Sequence, residues 1–115
     1  MNALSTLIII KSSTDNGSRA REGLRLIAAM LGMDTIPILV FAEEGVRHLL
    51  RGAHNETGSE YLKTVADLAG INVLSGSLKG LGISMENLEP GLNVKVIEID
   101  QLASMIVESK ATVTF

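Results

Sequence analysis

The sequence predicts an α/β fold: a single-domain three-layer α/β/α sandwich built on a five-stranded parallel sheet. Three observations predict it. Short aliphatic and β-branched runs alternate with stretches of helical periodicity along the whole chain. Most of these runs are continuously apolar, as in strands covered on both faces. No linker, internal repeat or low-complexity tract divides residues 1–115, which therefore read as one domain.

The elements follow in order. "LSTLIII" (4–10) is a buried strand, and the turn-formers of "KSSTDNGS" end it. From Ser18 the spacing turns helical, with Ala20, Leu24, Ile27, Ala28 and Leu31 on one face and Gly32 as the stop. A second strand covers 36–42, with Pro37 near its start or on an unpaired edge position, where a missing N–H is harmless. "EEGVRHLLRG" reads as a short helix with carboxylates in its first turn and Gly52 as its stop. After the polar loop "AHNETGS", a helix over 59–68 presents Leu62, Val65, Ala66 and Ala69, and Gly70 ends it. "INVL" gives a third strand (71–75), "SLKGLGI" a small helical turn and "SMENLEPG" a loop. "NVKVIEI" is the fourth strand (93–99), "DQLASMIVES" a helix capped by Asp100, and "ATVTF" (111–115) the fifth strand.

Composition excludes several functions. With no cysteine, this chain has no thiol catalysis, disulfide or zinc–thiolate site, and a reducing, cytoplasmic setting is the expectation. A net charge of −3, basic residues scattered apart from Arg19, Arg21 and Arg25, and one tyrosine with two phenylalanines argue against nucleic acid as a partner. "LSTLIII" is too short to span a bilayer and no basic residue precedes it, so no membrane association is expected. A hydrophobic fraction of 46% beside 20% charged residues is high for a small monomer and points to self-association.

Four groups of residues could carry chemistry. The loop "SSTDNGSRAREG" sets hydroxyls and amides at a helix start, where Gly17 and Ser18 with Arg19 or Arg21 could hold an anion; the alternative is a capped helix with solvated arginines. Glu43 and Glu44 are adjacent and point apart, so complementing a helix dipole accounts for them. His48 and His54, six residues apart across Gly52, share no helical face as metal ligands would; His48 is expected on a half-buried helix surface and His54 in solvent, with no metal and no cofactor. Ser75 and Ser77 form no Gly-x-Ser-x-Gly elbow and have no histidine placed to take a proton, so capping is their expected role and no catalytic residue is assigned.

Several of these stretches together resemble one family. "GSRAREGLRLIAAM", with Arg21-Glu22-Gly23-Leu24 as its sharpest part, is similar to the first helix of the DsrE/DsrF-like sulfur-relay family, in particular its TusC or DsrF branch. "EEGVRHLLRG" resembles that branch's acidic-Gly-Val segment through Gly45, Val46 and Leu49. "SLKGLGI" resembles its Ser-Leu-x-x-x-Gly-Leu turn, and "ATVTF" its aromatic-ending last strand. The resemblance implies a parallel α/β/α sandwich and trimeric or hexameric assemblies. It also implies relay of sulfur as a cysteine persulfide formed at the end of the third strand. The matching position here is Leu74, just before Ser75 and Ser77, so the family site is expected to be vestigial.

Two functions follow as expectations. One is a non-catalytic subunit or paralogue in sulfur relay, acting by assembly with itself or with other family subunits. The other is a small-anion or small-molecule binding module using the loop after the first strand and the turn after the third. The expected interface joins His48 and Leu50, facing outward from their helix, with Leu78, Leu81 and Ile83.

Overall fold

Five short strands, β1 (Thr6–Ile10), β2 (Ile38–Phe41), β3 (Asn72–Leu74), β4 (Lys95–Ile97) and β5 (Ala111–Thr114), form one sheet in the order β4-β3-β2-β1-β5. Every pairing is parallel, as the continuous apolar runs require. The computed structural model describes residues 5–14 and 17–115, excepting the side chains of Gly17 and Ser18.

Strand order decides where the helices lie. From β1 to β4 the chain steps one way across the sheet, so right-handed crossovers place α1 (Gly17–Gly32), α2 (Glu56–Leu68) and α3 (Ser75–Leu81) on one face. The return from β4 to β5 runs the other way and carries α4 (Ile99–Glu108) over the opposite face. The packing follows this division. Ile8, Ile10, Leu39, Phe41 and Val73 pack with Ala20, Ile27, Leu62, Val65 and Leu78 in the larger core. Their alternating neighbours Leu7 and Val40 pack with Ile97 and Leu102 in a smaller one. Three layers result.

The structure shifts several sequence-based boundaries. α2 begins three residues early because the Asn55 side chain accepts the Gly58 N–H at 2.9 Å and caps the helix. The N-cap of α4 is Glu98, not Asp100: the Glu98 N–H donates to Gln101 Oε1 at 2.9 Å, and Asp100, inside the first turn, accepts the Gln101 N–H at 3.0 Å. Ala28 faces solvent, and Gly23 takes its place on the packed side of α1. A Cβ on Gly23 would press on Ile10 Cδ1 and on the Phe115 ring, 2.9 Å away. The first-helix motif and the aromatic end of the chain are therefore two halves of one contact.

Segment 43–49 is a 3-10 helix. Its three-residue repeat stacks side chains in columns. Gly45 with His48, and Val46 with Leu49, point into the protein, while Glu44 and Arg47 stay outside and pair at 3.0 Å. An outward-facing His48 is thereby corrected: it is 4% exposed.

α4 is apolar on more than its packed side. Leu102 and Met105 meet the sheet. Ile99, Ala103 and Ile106, at helical spacing, are exposed beside Val107, and Ile99 and Val107 are 68% and 83% exposed.

Candidate functional site

Parallel α/β sheets place ligands beyond the carboxyl ends of their strands. Two clefts at that edge hold residues singled out from the sequence. The first lies between β2 and β3, lined by Glu43, Glu44, Leu74, Gly76, Ser77, Gly80 and Leu81, with a volume of about 370 Å³. Leu74 is the last residue of β3 and the residue from which α3 starts. Glu43 adopts the left-handed region at φ 50°, and its N–H donates to Ser77 Oγ at 2.8 Å. One hydroxyl thus ties the end of β2 to the start of α3. Ser75 is buried at the same turn.

Leu74, Ser75 and Ser77 are brought together as a turn, with Leu74 and Ser77 facing the cleft. Their chemistry is limited. Leu74 offers no nucleophile, no histidine lines this cleft, and Ser77 uses its oxygen as an acceptor. What remains is a shallow recess, apolar at Leu74 and Leu81, with two carboxylate-bearing residues along one side.

The second cleft lies beyond β1. Thr14, Arg21, Leu24, His48, Ala53 and His54 line about 260 Å³. Here the two histidines meet, contrary to the expectation from their spacing. Their rings stack with centroids 5.3 Å apart, and His48 Nδ1 lies 3.3 Å from His54 Nε2. His48 Nε2 is 3.0 Å from the Ser12 carbonyl oxygen. A carbonyl only accepts, so Nε2 of the neutral ring carries the proton and Nδ1 is left to accept. His54 Nε2–H then donates to it, and the lone pair of His54 stays on its own Nδ1. No hydrogen bond to that Nδ1 is formed among the described residues.

Burial pushes the His48 imidazole below its ordinary value of 6.5; the Ser12 hydrogen bond opposes this and the nearby His54 adds to it. Burial likewise lowers His54. The pair is neutral near pH 7.

Three glycines make this meeting possible. A Cβ on Gly45 would collide with the Ile10 carbonyl, so only glycine lets the 3-10 helix approach β1 closely enough for His48 to reach Ser12. A Cβ on Gly58 would stand 2.8 Å from His54 Cβ, so the first turn of α2 leaves space for that side chain. The turn at Gly52 (φ 72°) folds residues 50–54 back over the 3-10 helix. A glycine in the first turn after the cap was the signal available in the sequence, and spacing on a single helix was the wrong frame for it.

The anion-loop residues divide. Arg21 lines the histidine cleft; Arg19 is exposed and does not. The side chains of Gly17 and Ser18 lie outside the described residues, as do Asp15 and Asn16 entirely. The expected interface patch is not an outward face of this fold. His48 and Leu78 are buried, and Leu50, Leu81 and Ile83 are half-buried against the larger core, because 3-10 columns replace an α-helical stripe.

A model of the DsrE/DsrF-like family matches residues 5–115. The chain belongs to the DsrE/DsrF-like family. Two solved structures share the family member's fold. The ychN protein from E. coli superposes with a TM-score of 0.80 at 19% identity, over 97% of this chain and 99% of that one. A protein of unknown function, MTH1491 from Methanobacterium thermoautotrophicum, gives 0.73 at 16% identity, over 94% and 98%. Among curated proteins none matches. Among the described residues of this DsrE/DsrF-like chain, no helix is long and apolar enough to cross a membrane.

Proposed function

We propose that this protein is a non-catalytic DsrE/DsrF-type subunit of the TusC or DsrF kind, which serves intracellular sulfur relay by assembly and docking. The observation that carries the reading is Leu74. It stands at the end of β3, facing the cleft where the family resemblance expects the persulfide-forming cysteine. Thiolate attack is the step by which such sulfur moves, and this chain has no cysteine to perform it. The turn is nevertheless kept in shape by the Ser77–Glu43 hydrogen bond.

Docking is supported from the opposite face. A helix apolar on most of its circumference is normally covered, and α4 leaves Ile99, Ile106 and Val107 in solvent. A second copy of the chain, or a sister subunit of the same fold, covers that stripe in a closed trimer or hexamer.

The chemical half of the proposal is tested by incubating the pure protein with a low-molecular-weight persulfide and measuring its intact mass. The expected result is no stable addition. A protein carrying one extra sulfur atom would overturn it.

A further inference from the structure

The cleft at the end of β1 belongs to neither the vestigial turn nor the α4 face, and its lining has a chemistry of its own. Four separate segments converge there: the loop of Ser12 and Thr14, Arg21 from α1, His48 from the 3-10 helix and His54 before α2. The histidine pair is wired in one direction. Both nitrogens of His48 are engaged, Nε2 with Ser12 and Nδ1 with His54. Among the described residues the acceptor of this pair left without a partner is His54 Nδ1, on a ring that lines the cleft.

A proton taken from solvent therefore settles on His54 Nδ1 and turns that atom into a charged donor. The resulting imidazolium shares the cleft with Arg21 and Thr14, whose side chains carry a guanidinium and a hydroxyl. No carboxylate lines it among the described residues. Among the described residues Glu44, paired with Arg47, and Arg51 line the adjoining cleft, which shares Thr14 and Ala53.

We propose that this cleft binds a small tetrahedral oxyanion, held by Arg21, the Thr14 hydroxyl and His54 protonated on Nδ1. Binding and proton uptake are then one event, because the anion stabilises the charge that burial alone opposes. Affinity rises as pH falls through the range where the histidines titrate. The inference stands apart from the assembly reading: a monomer or an oligomer would bind alike.

Sulfate is the probe, since it stays a dianion across the window used. The protein is titrated at constant ionic strength at pH 6.0 and 8.0, following the imidazole nitrogen resonances. The expected result is saturable binding, about tenfold tighter at pH 6.0, with the His54 Nδ1 resonance moving to the protonated position. Arg21→Gln and His54→Gln should each weaken binding about fivefold or more, His54→Gln also abolishing the pH dependence. Arg19→Gln, two residues away and outside the cleft, should leave it unchanged. Absence of saturable binding at either pH would overturn the proposal, as would an equal loss in Arg19→Gln, which would mean diffuse attraction to the helix. Unchanged far-ultraviolet circular dichroism of the variants ties each loss to the site.

Discussion

Gly45 fixes the geometry beyond β1, since any larger residue there meets the Ile10 backbone. Backbone cannot swing aside as a side chain can. Gly45→Ala should therefore cost about 3 kcal/mol or more, enough to lower the melting midpoint by more than about 10 °C. Gly23→Ala meets only Ile10 Cδ1 and the Phe115 ring, so a smaller loss of about 1–2 kcal/mol is expected. Thermal melts of the two variants check the order. His48 makes a prediction about pH. Its folded-state value lies below the 6.5 of an ordinary histidine, so between the two values the unfolded chain binds the proton and the native one does not. Stability is full above about pH 6.5 and falls as pH drops below it. His48→Gln keeps a donor for Ser12 and an acceptor for His54, and should flatten that decline between pH 7.5 and 5.5. An unchanged slope in melts across this range would contradict the assignment.

Among the elements, legibility followed the local rules. The strands were readable because each is a compact apolar run, and all five emerge inside their expected ranges. α1 and α2 were readable from period and stop glycines. The 3-10 helix was not, because "EEGVRHLL" carries no local feature that selects three residues per turn over 3.6. The selection is tertiary, made by contact of Gly45 with β1. The turn after β3 was legible as a turn, but its tie to β2 joins residues 34 apart in sequence and is invisible to local spacing. That tie can be tested. Ser77→Ala removes the acceptor for the Glu43 N–H and should cost about 1 kcal/mol. Glu43→Gly relieves a left-handed backbone at φ 50° and should be neutral or stabilising by up to about 1 kcal/mol. Urea denaturation of both variants reads the two signs.

At the scale of the whole molecule, the fold class was legible and the topology was not. Crossover handedness fixes which face a helix takes only once strand order is known, and order rests on pairings such as Ile8 with Val113, far apart in the chain. The expected interface residues His48 and Leu78 are buried, whereas large apolar side chains are exposed on α4 at Ile99, Ile106 and Val107 and elsewhere at Met33, Ile36 and Leu68. Among the described residues α4 is the helix packed on the sheet face opposite α1, α2 and α3. Assembly through α4 is the central claim of this account, and native mass measurement at micromolar concentration tests it most directly. The parent should form a closed multiple of the 12.2 kDa chain, and the double variant Ile99→Glu, Ile106→Glu should fall to the monomer with its circular dichroism unchanged. A parent that runs as a monomer at every concentration, or a double variant that assembles as the parent does, would contradict it.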